Sequence, residues 1–117
     1  MIKEIHVFDF DGTLVDSSHR YRTMPCGTRI DLQHWIENEH KVMDDTLLPL
    51  VNHYRELMQD TTKYVIVATA RIWCDLSQKF VETHDIEPQT IFARRDRSDT
   101  RGGAALKISG IKKLLNL

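Results

Sequence analysis

The sequence predicts an α/β fold built on a parallel β-sheet with helices on both faces. Three observations carry that prediction. Short apolar runs at 5–10, 64–68 and 90–93 have the length and the β-branched or aromatic content of buried strands. The segments between them repeat apolar residues at helical spacing. Asp9, Asp11, Thr69 and Arg71, the residues with the most distinctive chemistry, fall at the carboxyl ends of the first two main runs, where open parallel sheets place their sites.

Taken in order, Ile5-His6-Val7-Phe8-Asp9-Phe10 runs into Asp11-Gly12, a turn signal, and reads as a buried strand. Residues 16–30 are polar, with Pro25 and Gly27 as breakers, and predict an irregular excursion holding a turn of helix around 19–22. Asp31 is a good N-cap for a helix over 31–43 whose face carries Leu32, Trp35, Ile36, Val42 and Met43. Asp44, Asp45 and Thr46 then precede a second helix with Leu47, Leu48, Leu50, Val51, Tyr54, Leu57 and Met58 on one face, Pro49 being tolerable in its first turn. Tyr64–Ala68 is apolar on both faces, as a parallel strand covered from each side must be, and is expected to end at Thr69. A helix over 73–84, a short strand over 90–93, a charged loop over 94–103 and a helix over 104–116 complete the chain. This alternation implies right-handed crossovers within a single domain, 1–117.

The 117 residues suffice for one hydrophobic core, and 41% hydrophobic with 28% charged residues excludes a largely disordered chain. A net charge of -1 excludes a generally basic nucleic-acid-binding surface, so contact with a nucleotide has to come from a local cluster. Cys26 and Cys74 form no C-x-x-C and no zinc-ligand spacing, and read as reduced cysteines packed as small hydrophobes in a cytoplasmic protein. Nothing approaches the roughly 18 apolar residues of a membrane span, and the N-terminus shows no secretory signal, so the protein is expected to stay in the cytoplasm where it is made.

Asp9 and Asp11, one residue apart at a strand end, point the same way along an extended backbone. Two such charges repel and need a cation or a hydrogen-bond network. A magnesium ion, held by carboxylate and backbone oxygens while keeping several waters, satisfies them and attracts a phosphate. A simple Asp11-Gly12 turn accounts for Asp11 but not for Asp9 or Thr13.

The run Asp9-Phe10-Asp11-Gly12-Thr13-Leu14-Val15-Asp16 resembles the first signature of the haloacid-dehalogenase (HAD) phosphatases, D-x-D-G-T-L. The resemblance implies a HAD-like, Rossmann-like three-layer fold and a magnesium-dependent phosphatase. In it Asp9 would attack phosphorus to give an aspartyl-phosphate and bind the metal, and Asp11 would protonate the leaving group and then activate water, with its backbone carbonyl on the metal. Thr13, within the same signature, is placed with the substrate. Ala68-Thr69-Ala70-Arg71 is similar to the second signature, whose hydroxyl holds a phosphate oxygen, although a threonine before a helix is in most proteins a cap. Arg71 has the guanidinium fork that grips phosphate bidentately, or else is a solvated arginine at a helix start. Lys107 matches the third signature, a lysine that neutralises the aspartyl-phosphate; from spacing alone it is a surface lysine.

The loop 94–101 carries four of the chain's nine arginines, and the ordinary reading of such a loop is a solvated segment with ion pairs to Asp96 and Asp99. Asp99-Thr100-Arg101 with Lys107, together with V-I-V-A-T-A-R, resembles the phosphatase domain of phage-type polynucleotide kinases, which implies that Arg101 reaches a nucleotide or polynucleotide phosphate. Residues 16–45 would form a small helical cap insert in which Tyr21 and Trp35 offer rings to a base, Trp35 fitting better as packing beside Leu32 and Ile36. Among six histidines, His19, with Arg20 beside it, is placed near the substrate.

HAD phosphatases continue past the lysine helix into a strand ending in acidic magnesium ligands, whereas here the ten residues after Lys107 contain no carboxylate. The sheet is therefore expected to be truncated before its last core strand. Strand 1 would be left as an apolar edge to be covered by another chain, as in a homodimer, by a swapped element or by the C-terminal helix, and metal affinity would fall unless Asp96, Asp99 or a partner supplies the missing ligand. Two functions remain in competition. One is a phosphomonoesterase acting on a nucleotide or on a polynucleotide 3'-phosphate. The other is a catalytically impaired HAD-like module that binds a phosphorylated ligand or a protein partner.

Overall fold

The structure is a computed structural model that describes residues 1–25, 27, 31–94, 99 and 101–115. The expectations for Cys26, Asp96 and Thr100 lie outside the described residues.

Three parallel strands form the central sheet in the order β1 (Glu4–Phe8), β4 (Lys63–Ile72), β5 (Thr90–Arg94). A separate antiparallel pair joins β2 (Val15–Asp16) to β3 (Thr46–Leu47). The helices are α1 (Leu32–Glu37), α2 (Val51–Gln59), α3 (Asp75–Thr83) and α4 (Gly103–Leu115). Val65 and Val67 of β4 pack in the core with Tyr54 and Leu57 of α2 and Phe80 and Val81 of α3. Alternation sends Ala68 to the other face together with its register partner Phe92, and there Phe92 meets Gly110 of α4. Helices therefore cover both faces, as expected. On β1, Ile5 and Val7 share the α4 face but are 47% and 43% exposed, because α4 packs on β4 and β5. Strand β1 is an edge strand with an apolar face open to solvent. Among the described residues no helix is long and apolar enough to cross a membrane.

Four expected boundaries shift. Strand β1 ends at Phe8, because the carbonyl of Phe10 turns to accept from the amides of Thr13, Leu14 and Val15. The helix expected over 31–43 is two pieces: Asp31 caps α1 by accepting from the His34 amide at 3.1 Å, and Asn38 ends it, leaving 39–44 as a 3-10 helix. The second helix begins only at Val51. Pro49 disfavours a helical Leu48, and the chain before it is extended, with Thr46–Leu47 paired to Val15–Asp16 and the Leu48 amide bonded to the Leu14 carbonyl at 2.9 Å. Strand β4 continues past Thr69 to Ile72 through a bulge. Its register runs from Ala68 opposite Phe92 to Ile72 opposite Arg94, four steps against two.

Candidate active site

The turn after β1, the bulge of β4 and the start of α4 enclose one cleft of about 640 Å3, lined by Asp9, Asp11, Thr69, Arg71, Arg101 and Lys107 among others. That volume is in the range of small-ligand sites. The structure thus brings six of the sequence-predicted residues together. Thr13 is not among the lining residues; its amide bonds to the Phe10 carbonyl at 3.2 Å within the turn. Gly12 supports the same turn, with φ of +78°, a conformation that favours glycine.

The two aspartates have different surroundings. Asp9 is 44% exposed; its Oδ1 accepts from the Phe10 amide at 2.8 Å and lies 3.3 Å from the Lys107 ammonium. Asp11 is 25% exposed, and both its oxygens are engaged. Arg71 donates from Nε to Oδ2 at 3.1 Å and from Nη2 to Oδ1, and the Ser17 hydroxyl donates to Oδ1 at 2.8 Å. The guanidinium of Arg71, which the sequence offered to a phosphate, is spent largely inside the protein. It also reaches Ser77 Oγ at 3.2 Å and Asp45 Oδ2 at 3.3 Å, and it stands over the Phe10 ring.

The bulge explains how Thr69 and Arg71 come to the cleft together. The Thr69 oxygen accepts from the Arg71 amide at 3.1 Å, which uses a lone pair and keeps the hydroxyl a donor. Arg94 of β5 closes the bulge by donating to the Ala70 carbonyl at 2.8 Å. At the rim, Arg101 forms a fork onto Asp99 with two bonds of 2.8 Å, and these hydrogen bonds raise the Arg101 pKa further. Asp16, on the opposite side, is held below the usual carboxylate range by hydrogen bonds from the Ser18 hydroxyl and amide.

Sequence reasoning missed Asp45, Ser17 and Ser77. Asp45 is fully buried and accepts from Arg20, Arg71 and His19. Arg20, expected beside the substrate, is itself 1% exposed, with its guanidinium 4.1 Å from the Trp35 ring centre. Trp35 is buried, as the packing reading required, while Tyr21 stays exposed beside it. Asp45 carried no local signal, because its partners are distant in sequence and its Asp-Asp-Thr context looks like a helix start.

Among the described residues no three or more His, Cys, Asp or Glu side chains gather as a metal-ligand set. With Asp11 engaged by Arg71 and Ser17, the residues fit only an open magnesium site. Asp9 would be its carboxylate, with the Asp11 backbone carbonyl, water and a bound phosphate supplying the remaining oxygens.

Fold and site together define an α/β protein with a carboxylate cleft at the carboxyl ends of parallel strands, faced by a lysine and arginines. The family model for Bacteriophage T5 5'-deoxynucleotidase matches residues 1–97, and the chain belongs to that family. The 5'-deoxynucleotidase of Escherichia phage T5 is 36% identical over 77 aligned positions, a match that covers 61% of this chain and 31% of the phage T5 protein. The chain therefore matches about a third of the length of that relative. No solved structure matches.

Proposed function

We propose that the chain carries the active site of a HAD-type phosphomonoesterase that removes the phosphate of a nucleotide, a deoxynucleoside 5'-monophosphate above all. The observation that carries this reading is the Lys107 ammonium, 3.3 Å from Asp9 Oδ1 in the cleft that Asp11 and Thr69 also line. Membership of the deoxynucleotidase family supports the nucleotide.

In the first step an Asp9 oxygen bonds to phosphorus, the bond from phosphorus to the ester oxygen breaks, and Asp11, protonated at Oδ2, which accepts one bond from Arg71 where Oδ1 accepts two, gives its proton to the departing oxygen. In the second step Asp11, now a carboxylate, takes a proton from water as that water bonds to phosphorus. The bond from phosphorus to Asp9 breaks and inorganic phosphate leaves. Lys107 and the Thr69 hydroxyl balance the charge on the phosphoryl oxygens. Magnesium held by Asp9 would neutralise further phosphate charge. The open face of β1, with Ile5 and Val7 exposed, supports pairing with a second copy; light scattering after size exclusion should then report a dimer, and a monomer would count against that pairing.

The function is tested by phosphate release from a deoxynucleoside 5'-monophosphate and from a 3'-phosphorylated oligonucleotide, with magnesium and with a chelator, for the parent and Asp9→Asn. Magnesium-dependent release lost in Asp9→Asn is expected. Release from the oligonucleotide alone would replace the substrate with a polynucleotide end. Inertness of both proteins would leave the binding module as the better reading.

A further inference from the structure

We infer that Asp45 is a positioning residue for this reaction, acting through Arg71 on Asp11. The inference rests on the phosphatase reading and adds to it a residue outside the signatures.

Asp45 follows the 3-10 helix at 39–44, its side chain wholly inaccessible, and its carboxylate accepts from His19 Nε2 at 2.7 Å, Arg20 Nε at 2.9 Å, Arg20 Nη2 at 3.1 Å and Arg71 Nη2 at 3.3 Å. Arg71 Nη2 is shared between Asp45 and Asp11, and its Nη1 is held from the other side by Ser77 of α3. The ring of Phe10 lies 4.8 Å and that of Trp35 5.6 Å from the guanidinium carbon. Arg71 is thus fixed in its plane by Asp45 and Ser77 and across it by aromatic rings. With Ser17 it dictates where the Asp11 carboxylate points.

Stability alone gives little reason for this arrangement. Apolar side chains of equal volume commonly serve a buried position as well as an ion-paired network does, because the charges must first be desolvated. What an apolar replacement does not provide is a rigid, directional fork aimed at the acid. An acid that must meet a leaving-group oxygen within hydrogen-bond distance gains from that fork.

A loss of acid positioning differs from a general loss of structure in its dependence on the leaving group. A deoxynucleoside 5'-monophosphate expels an alkoxide and needs the proton, whereas p-nitrophenyl phosphate expels a stable phenolate and needs it far less. In Asp45→Asn, kcat/KM on the nucleotide, which reports only the step in which the leaving group departs, is expected to fall about 100-fold. On p-nitrophenyl phosphate kcat/KM should fall less than about 5-fold, because the loss of Asp11 as base in the later hydrolysis step does not enter kcat/KM. Ser77→Ala removes a single hydroxyl and should show the same selectivity at about 5- to 10-fold. It carries the decision if circular dichroism shows that Asp45→Asn does not fold. Equal losses of kcat/KM on both substrates in a folded variant, or an unchanged kcat/KM on the nucleotide, would overturn the inference while leaving the phosphatase reading intact. A parent inert on both substrates would overturn the two together.

Discussion

Replacing Tyr54 with phenylalanine tests how the fold holds the strands that carry the site. Tyr54 of α2 is fully buried, its ring edge-on to Phe8 at 5.2 Å, and its hydroxyl donates to the Ile86 carbonyl at 2.7 Å, just before β5. The substitution keeps the ring and leaves a buried carbonyl without this donor, a loss of about 1.5 kcal/mol. For 117 residues, an unfolding entropy of about 2.1 cal/mol/K per residue gives about 0.25 kcal/mol/K, so the melting temperature should fall about 6 °C. Burial raises the Tyr54 pKa well above its ordinary value. A raised folded pKa means that the hydroxyl's contribution is complete below the unfolded value of about 10 and is lost as pH climbs from there toward the folded one. At pH 10.5 the unfolded phenol's ionisation removes about 0.8 kcal/mol from the parent and nothing from Tyr54→Phe, so the stability gap should roughly halve. Urea unfolding of both proteins at pH 7 and 10.5 measures it, and Tyr21, Tyr64 and the lysines cancel in the difference. A gap that stays constant between the two pH values, or one near zero at pH 7, would refute the reasoning.

Lys107→Ala should reduce kcat on a nucleotide by about 100- to 1000-fold, the usual loss when a cation that stabilises transition-state charge is removed. Its unfolding midpoint should barely move, since the Asp9 pair is substantially exposed; steady-state kinetics beside a urea melt separates the two. Gly110→Ala should destabilise the protein by about 1 kcal/mol, measured by thermal unfolding. The gain in helix propensity is about 1 kcal/mol. A Cβ there would lie 2.5 Å from Phe92 Cγ, an overlap in the ring's anchored end that costs about 2 kcal/mol to relieve.

The strand and helix order was legible because each element announces itself locally. Tyr64–Ala68 is β-branched and apolar on both faces, the pattern of a covered strand, and Val51, Tyr54 and Leu57 repeat at the spacing of one helix face. What escaped depends on contacts between segments. Thr46–Leu47 has the composition of a helix start and becomes a strand because Val15–Asp16 lies beside it and Pro49 keeps Leu48 extended. The bulge that holds Thr69 and Arg71 has no glycine or proline to mark it; it exists in the register with β5 and in the Arg94 bond to Ala70. Asp45 and Arg20 are charged residues in a polar stretch, and their burial follows from finding each other across 25 residues.

The same contrast explains how one short motif provides two different carboxylates. Asp9 and Asp11 are indistinguishable in charge and nearly adjacent, yet the turn after Phe8 leaves Asp9 substantially open beside a lysine on a later helix, while Asp11 meets the bulge and takes a bidentate arginine. In the proposed reaction the open carboxylate must approach phosphorus and then release it, so a lone lysine on its flank suits it better than a fork. The other must keep one direction while it gives up its proton, and a guanidinium held by Asp45 and Ser77 would fix that direction. The Asp-x-Asp spacing brings both carboxylates to the cleft, and their separate surroundings, on which the proposed roles rest, come from Lys107 and Arg71, which the chain delivers from two other elements.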